Sequence, residues 1–448
     1  MNDLFRKALV SLKPRENKYK KFALSQNPFP FEPGVKLGNP DPRVNGTIYL
    51  RDLRKEEQDK FEKLIVPKGD RSSVNTISFI MDWATKSGRG IGKTAFLHHQ
   101  KNRIMKDYGK ELSGNTEVLF AIHIIPSTEG KSRKFWQFNK LIAKALIKQE
   151  IIARALWRLR YFSDVITKDV LAEIGNNPSE TIGNDEWLSK QKVDVLFNLP
   201  RAVGSKLSEL GINEELIDKL KRYGHSSIEF EQKFFDNLSD RYWNNDEGRL
   251  IFNDFVKLLS GSGFTKGILL VDNVEEIVVP QNTIEKRAFT NSIRYFFIDG
   301  ACENSTLSFY SLLFTIHPYV QELLAPHWKA SGLNRFSALS GDKADEYTIY
   351  FKPLNKEFAI PLAKEYLDYS RLSDDIKGSF EPFEPDSIEE ALISSGGVPG
   401  EFLKLLHTAI EKAIEKNWEK IKPENIKSID KSKLSKDELP PAQINMKS

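Results

Sequence analysis

The chain has 448 residues, 40% hydrophobic and 29% charged, with a formal net charge of +4, the profile of an ordinary globular protein of two or three domains. One cysteine, Cys302, excludes an internal disulfide and a cysteine-based zinc site, and seven histidines lie without ligand spacing. The mildly basic balance permits nucleic-acid contact without arguing for it. No run reaches the ~18 apolar residues of a membrane span, and the opening residues lack the apolar stretch of a signal peptide, so the expected compartment is cytoplasmic.

Residues 1–70 begin basic ("KPRENKYKKF"), turn Pro- and Gly-rich, and end in a charged helix pattern, "RDLRKEEQDKFEKLI". They read as an arm packing on a following domain, with a disordered arm as the alternative for residues 1–25. The β-branched, apolar "TISFIMDW" (76–83) predicts a buried strand. A glycine-rich stretch follows, "TKSGRGIGKTAFLHH" (85–99), and opens a helix over 93–108 that Gly109 closes. "EVLFAIHIIP" (117–126) is a second strand whose unbroken apolar run suits a parallel sheet covered on both faces. One long helix is predicted over 134–162.

Residues 163–245 are polar and carry short helical patterns between turn signals, which marks a helical insertion. "TKGILLVDNVEEI" (265–277) returns to the sheet, followed by a helix around 285–297 and a strand in "SFYSLLFTIHP" (308–318). "EYTIYFKPL" (346–354) is the fifth strand. Helices over 356–369, 386–394 and 400–418 make an all-helical C-terminal part, and a loose polar tail is expected over 421–448.

The stretch 85–99 carries the chemistry. A loop between strand and helix that is rich in glycine wraps backbone N–H groups around phosphate oxygens, with a lysine reaching the outer phosphates and a hydroxyl on Mg²⁺. Gly88, Arg89, Gly90, Ile91, Gly92, Lys93, Thr94 and Ala95 are the candidate binding residues. The strict pattern G-x-x-x-x-G-K-[ST] fails at Ser87, but glycines at 88 and 90 beside G-K-T arise by chance in about one chain in a thousand of this length. Such a loop needs an acid at the end of a second strand to hold Mg²⁺, and "ILLVDN" supplies Asp272. "FTIHP" offers His317, or else Thr315, at another strand end.

Together these features resemble the AAA+ ATPases and the related signal-transduction (STAND) ATPases, and most of all the origin-recognition-type and transposition-regulator branch. "SGRGIGKT" is similar to the G-x-x-G-x-G-K-T loop, "YLRDLRKEE" offers Arg51 near adenine, and "SSGGVPGEF" matches the G-G-x-P turn that opens a helical lid. The resemblance covers about residues 40–125 and 250–420 and leaves the insertion unmatched. It implies an α/β P-loop NTPase fold with a parallel sheet, flanking helices, a helical insertion and a C-terminal helical lid. The implied domains are an arm over 1–70, a core over 71–355 and a lid over 356–420. It further implies ATP and Mg²⁺ as cofactors, with Lys93 on the phosphates, Thr94 and Asp272 on the metal, and His317 or Thr315 as sensor. Arg335, in "SGLNRFSAL", matches a finger that reaches a neighbouring subunit, with a surface arginine as the alternative.

Two departures qualify the resemblance. Asn273 stands where a carboxylate usually positions the attacking water, and an amide accepts no proton. Glu275 or Glu276 substitutes if the strand end curls back; otherwise hydrolysis is slow. Gly400 replaces the arginine expected after the G-G-x-P turn.

Two functions compete. One is an oligomerising switch that loads or regulates a partner on DNA through the arm (Lys13, Arg15, Lys18, Lys20, Lys21) and the cationic stretch with Lys144, Lys148, Arg154, Arg158 and Arg160. The other is a signalling or antiviral-defence ATPase that docks an effector protein through the insertion. Ile151, Ile152, Leu156, Trp157 and Leu159 on the cationic stretch leave a packed helix as its alternative reading. A small-molecule kinase is disfavoured because it needs no helical lid.

Overall fold

The computed structural model describes residues 17–36, 38–67, 76–82, 90–126, 132–166, 193–220, 246–299 and 309–429. They fall into two compact units. One comprises the described residues of Met1–Lys55, Asp82–Phe96 and Phe351–Pro441, and the other those of Glu56–Met81 and Leu97–Tyr350.

The larger unit is built on a five-stranded parallel sheet with flanking helices; only the last residues of two strands, Asp82 and Phe351, belong to the smaller unit. Its strands are β1 (Ile77–Asp82), β2 (Leu119–Ile124), β3 (Lys266–Val271), β4 (Tyr310–Ile316) and β5 (Thr348–Phe351), in the order β2-β3-β4-β1-β5. Every residue of the first four strands is buried. That requires cover on both faces and explains why they read as continuous apolar runs rather than alternating ones. Phe79, Ile122, Val271 and Phe314 on one face pack with Phe138, Ile142, Phe255 and Phe289 from helices. Ile80, Ala121, Leu270 and Leu313 point the other way and are equally buried.

The single helix expected over 134–162 is two, Phe135–Lys148 and Ile151–Tyr161, separated by Glu150 in the left-handed region at φ +63°. The break has a cause. β2 is an edge strand whose outer backbone groups need partners, and Gln149 at the break supplies them. Its Oε1 accepts from His123 N at 3.1 Å, and its Nε2 donates to His123 O at 2.7 Å. Two helices of the insertion, Val193–Glu209 and Glu214–Leu220, add Val203, Leu207, Leu216 and Leu220 to the same core. Residues 167–192 and 221–245 of the insertion lie outside the described residues.

The smaller unit joins the N-terminal segment to the C-terminal helices Lys356–Tyr369, Pro385–Ser394 and Pro399–Glu415. Phe22, Leu24 and Phe29 are buried against Leu362, Leu367, Phe402 and Leu406. Leu24 also forms an antiparallel bridge with Arg371. From residue 17 onward the expected arm is therefore part of this unit's core. The expected loose tail is likewise shorter: Pro423–Lys427 is helical, and Ile421, Ile426 and Ile429 are buried in the same cluster. Its sequence is polar because only one residue in each turn faces inward.

Candidate functional site

In the smaller unit the loop that follows β1 enters the helix Lys93–Asp107. Gly90 and Gly92 have φ of +84° and +97°, a region closed to most side chains, so these glycines are there for the backbone path. Three consecutive loop carbonyls are held. Gly90 O accepts from Gly400 N at 2.8 Å, Ile91 O from Arg54 Nη2 at 3.0 Å, and Gly92 O from Phe96 N at 3.0 Å. A trans peptide is planar, so the N–H groups of Ile91, Gly92 and Lys93 each point away from the partner holding the preceding carbonyl. Successive N–H groups at a helix N-terminus suit an anion. The donor set fits a phosphate.

Lys93 is 9% exposed, and its Nζ lies 3.9 Å from Oδ2 of Asp82, the fully buried last residue of β1. A buried ammonium is stable only near compensating charge, and Asp82 supplies it. Sequence reading passed over Asp82; the available signal was an acid ending an apolar strand directly before the loop. Thr94 and Ala95 are half-buried in the first helical turn. Gly88 and Arg89 lie outside the described residues, as does the side chain of Arg51, which begins a 3-10 turn, Arg51–Arg54. Arg54, three residues on, is the arginine that reaches the loop.

In the larger unit Asp272 immediately follows β3 and is 1% exposed. Its backbone N–H continues the ladder to Ile124 O at 2.9 Å. Oδ1 accepts from Thr315 Oγ1 at 2.6 Å and from Asn273 N at 3.1 Å, while Oδ2 lies 3.6 Å from His123 Nε2. The strand register explains the grouping. Leu270 pairs with Leu313 on β4 and with His123 on β2, so two residues on, Asp272 faces Thr315 on the same side of the sheet. Asn273 adopts φ +50°, and its N–H also reaches Thr315 Oγ1 at 3.0 Å. Asparagine tolerates that left-handed conformation better than glutamate, a conformational reason for an amide at this position. Glu275 is buried on the short helix Glu275–Val278, and Glu276 beside it is half-buried.

His317 is buried at the end of β4, where its Nδ1 accepts from Tyr319 N at 3.1 Å and caps the helix Pro318–Ala330. Of the two sensor candidates, Thr315 is the one in contact with Asp272. Arg335 is exposed on the turn Leu333–Arg335, beside Phe336 at 46% exposure. The turn is anchored by buried Leu333, by Trp328 Nε1 donating to Ser337 O at 2.8 Å, and by Ser337 Oγ donating to Ile77 O at 2.8 Å. Two clusters thus emerge, Lys93 with Asp82 and the tied loop, and Asp272 with Thr315, Asn273 and His123. They belong to different units.

Four of the cationic residues singled out for DNA, Lys18, Lys21, Arg154 and Arg158, are engaged within the chain, while Lys20 is exposed. Lys18 pairs with Glu411 at 2.7 Å, and Lys21 Nζ donates to Ala413 O at 3.1 Å. Arg154 donates to Tyr108 OH at 3.0 Å. Arg158 donates to Ser262 O at 2.7 Å and covers the Phe264 ring, and Arg160 is buried. Lys13 and Arg15 lie outside the described residues. Among the described residues no group of three or more His, Cys, Asp or Glu is placed to hold a metal ion, and no helix is long and apolar enough to cross a membrane. The chain matches no protein-family model and no curated protein.

Proposed function

We propose that this protein is an ATP-binding, AAA+-like ATPase that works as a nucleotide-dependent, oligomerising switch. The observation that carries the reading is the tied loop, with three carbonyls held and the following N–H groups, Lys93 among them, directed elsewhere. In this reading Ile91, Gly92 and Lys93 bind phosphate oxygens, Thr94 serves the magnesium ion, and Thr315 keeps the Asp272 carboxylate oriented. Bound ATP–Mg²⁺ supplies the γ-phosphoryl group and the divalent charge. Asn273 orients water without accepting its proton, so turnover is slow and the nucleotide acts as a switch more than as fuel. The rigid, exposed turn at Arg335 supports a role in a neighbouring subunit of a homo-oligomer.

A protein partner is favoured over direct DNA binding, because Lys18, Lys21, Arg154 and Arg158 are already engaged inside the chain. That points to the effector-docking form of the switch, with loading of a partner on DNA as the competing one. Calorimetric titration with Mg-ATP tests the core of the proposal. Wild type binds and Lys93→Ala weakens binding by about a hundredfold; equal affinities remove the phosphate role. Light scattering with a slowly hydrolysed analogue then reports assembly. Salt-sensitive DNA retention in the same samples overturns the preference for a protein partner.

A further inference from the structure

The phosphate-binding reading leaves open what fixes the loop's peptide planes. We infer that Arg54 and Gly400 are positioning residues for the loop, acting on the ligand only through its backbone; the inference rests on the reading above.

Arg54 is 5% exposed, and its guanidinium forks between two main-chain oxygens, Lys352 O at 2.7 Å and Ile91 O at 3.0 Å. Its plane lies over the Phe351 ring at 4.6 Å. A planar fork stacked on an aromatic ring is stiff, and lysine does not reproduce it. The second tie comes from the first turn of the helix Pro399–Glu415. Pro399 at its start has no N–H to offer, and the next residue, Gly400, donates to Gly90 O at 2.8 Å. The approach is close enough to dictate the residue. A Cβ at 400 would sit 3.0 Å from Gly90 Cα and 3.2 Å from Gly90 O. Glycine at 400 thus brings a main-chain donor, with no side chain, up to the loop.

The two ties hold adjacent peptides. With Gly90 O and Ile91 O fixed, the planes that carry the N–H groups of Ile91 and Gly92 are fixed too. Rotating either plane turns a donor away and points a carbonyl dipole at the anion. Linkage makes the effect reciprocal: an anion that prefers this loop geometry also favours the Gly400–Gly90 bond, and with it the seating of the C-terminal helix on the loop.

The test compares wild type, Arg54→Lys, Gly400→Ala and the control Lys93→Ala by calorimetric titration with Mg-ATP, alongside the melting temperature without nucleotide. A third readout is the ¹⁵N-glycine amide spectrum, in which Gly92 reports the loop. Arg54→Lys and Gly400→Ala each weaken binding by about tenfold, and the ATP-dependent shift of the Gly92 resonance is lost, while both variants stay folded at the titration temperature. The two variants perturb the loop from different elements, so either one decides the matter if the other fails to fold. Should wild type and Lys93→Ala alike fail to bind ATP, the nucleotide reading itself falls and this inference with it. Should wild type bind, Lys93→Ala lose binding, and both positioning variants match wild type in affinity and Gly92 shift, the inference alone is overturned.

Discussion

The glycine loop and the Asp272 cluster are held in opposite ways. The described part of the loop is tied through its main chain by partners remote in sequence, Arg54 and Gly400. Asp272 is fixed through its side chain, by a hydroxyl and an N–H that strand pairing delivers. A backbone-held loop is sensitive to substitutions far away as well as at its own left-handed glycines. A register-held carboxylate is sensitive to its immediate neighbours and survives remote change as long as the sheet stands. The exception on the loop side is Lys93, a buried charge that lies 3.9 Å from the Asp82 carboxylate.

That exception gives the largest expected effect. Asp82→Ala leaves the Lys93 ammonium buried with its nearby countercharge gone and costs about 3 kcal/mol of stability in urea denaturation. Adding Lys93→Met recovers part of that loss, because the stranded charge goes as well. If Asp82→Ala is as mild as a surface substitution, the pair does not compensate charge and the loop side is held by its backbone alone. The next effect probes the other cluster. Thr315→Val removes the 2.6 Å donor to Asp272 Oδ1 and costs about 2 kcal/mol, whereas Thr315→Ser keeps the hydroxyl and most of the stability. A loss confined to Thr315→Ser would mean that packing of the methyl group, which valine keeps, and not the hydrogen bond, holds this side.

The same contrast explains what was legible in the sequence. The five strands were readable because buried parallel strands announce themselves by composition, and "ILLVDN" places Asp272 by its position after one of them. Thr315 was harder to rank against His317, since only the register, Leu270 opposite Leu313, shows which β4 residue faces the acid. Gln149 was illegible, because a helix break caused by an edge strand's need for partners leaves no mark in helical periodicity. Arg54 and Gly400 were beyond reach for a related reason: a bond to a backbone carbonyl imposes no residue type on the accepting position. The segment from residue 17 onward read as an arm packing on a following domain, since its burial rests on a few residues such as Phe22 and Phe29 set among prolines and charges.

The smallest effect concerns the helix that delivers Gly400, because its far end is tied to the N-terminal segment by titratable groups. Burial tends to raise the Glu411 carboxyl's pKa, but hydrogen bonds from Lys18, Asn27 and Tyr19 outweigh it and hold the group below the ordinary glutamate value. His407, one turn earlier and in contact with Phe29 O at 2.7 Å, is pushed below the ordinary histidine value, chiefly by burial. Both groups bind fewer protons folded than unfolded, so both contribute stability that is lost as pH falls. The histidine part fades below about pH 6.5 and the glutamate part below about pH 4.3, each as pH descends toward the lowered folded value. Glu411→Gln isolates the second window. The half-exposed Lys18 limits the pair to about 1 kcal/mol near neutrality, and the difference between wild type and variant shrinks toward zero once pH is below the folded value. Acid denaturation curves that stay parallel across that range would mean the carboxylate's charge does not tie the N-terminal segment to this helix, leaving the apolar contacts of Phe22 and Phe29 to do so.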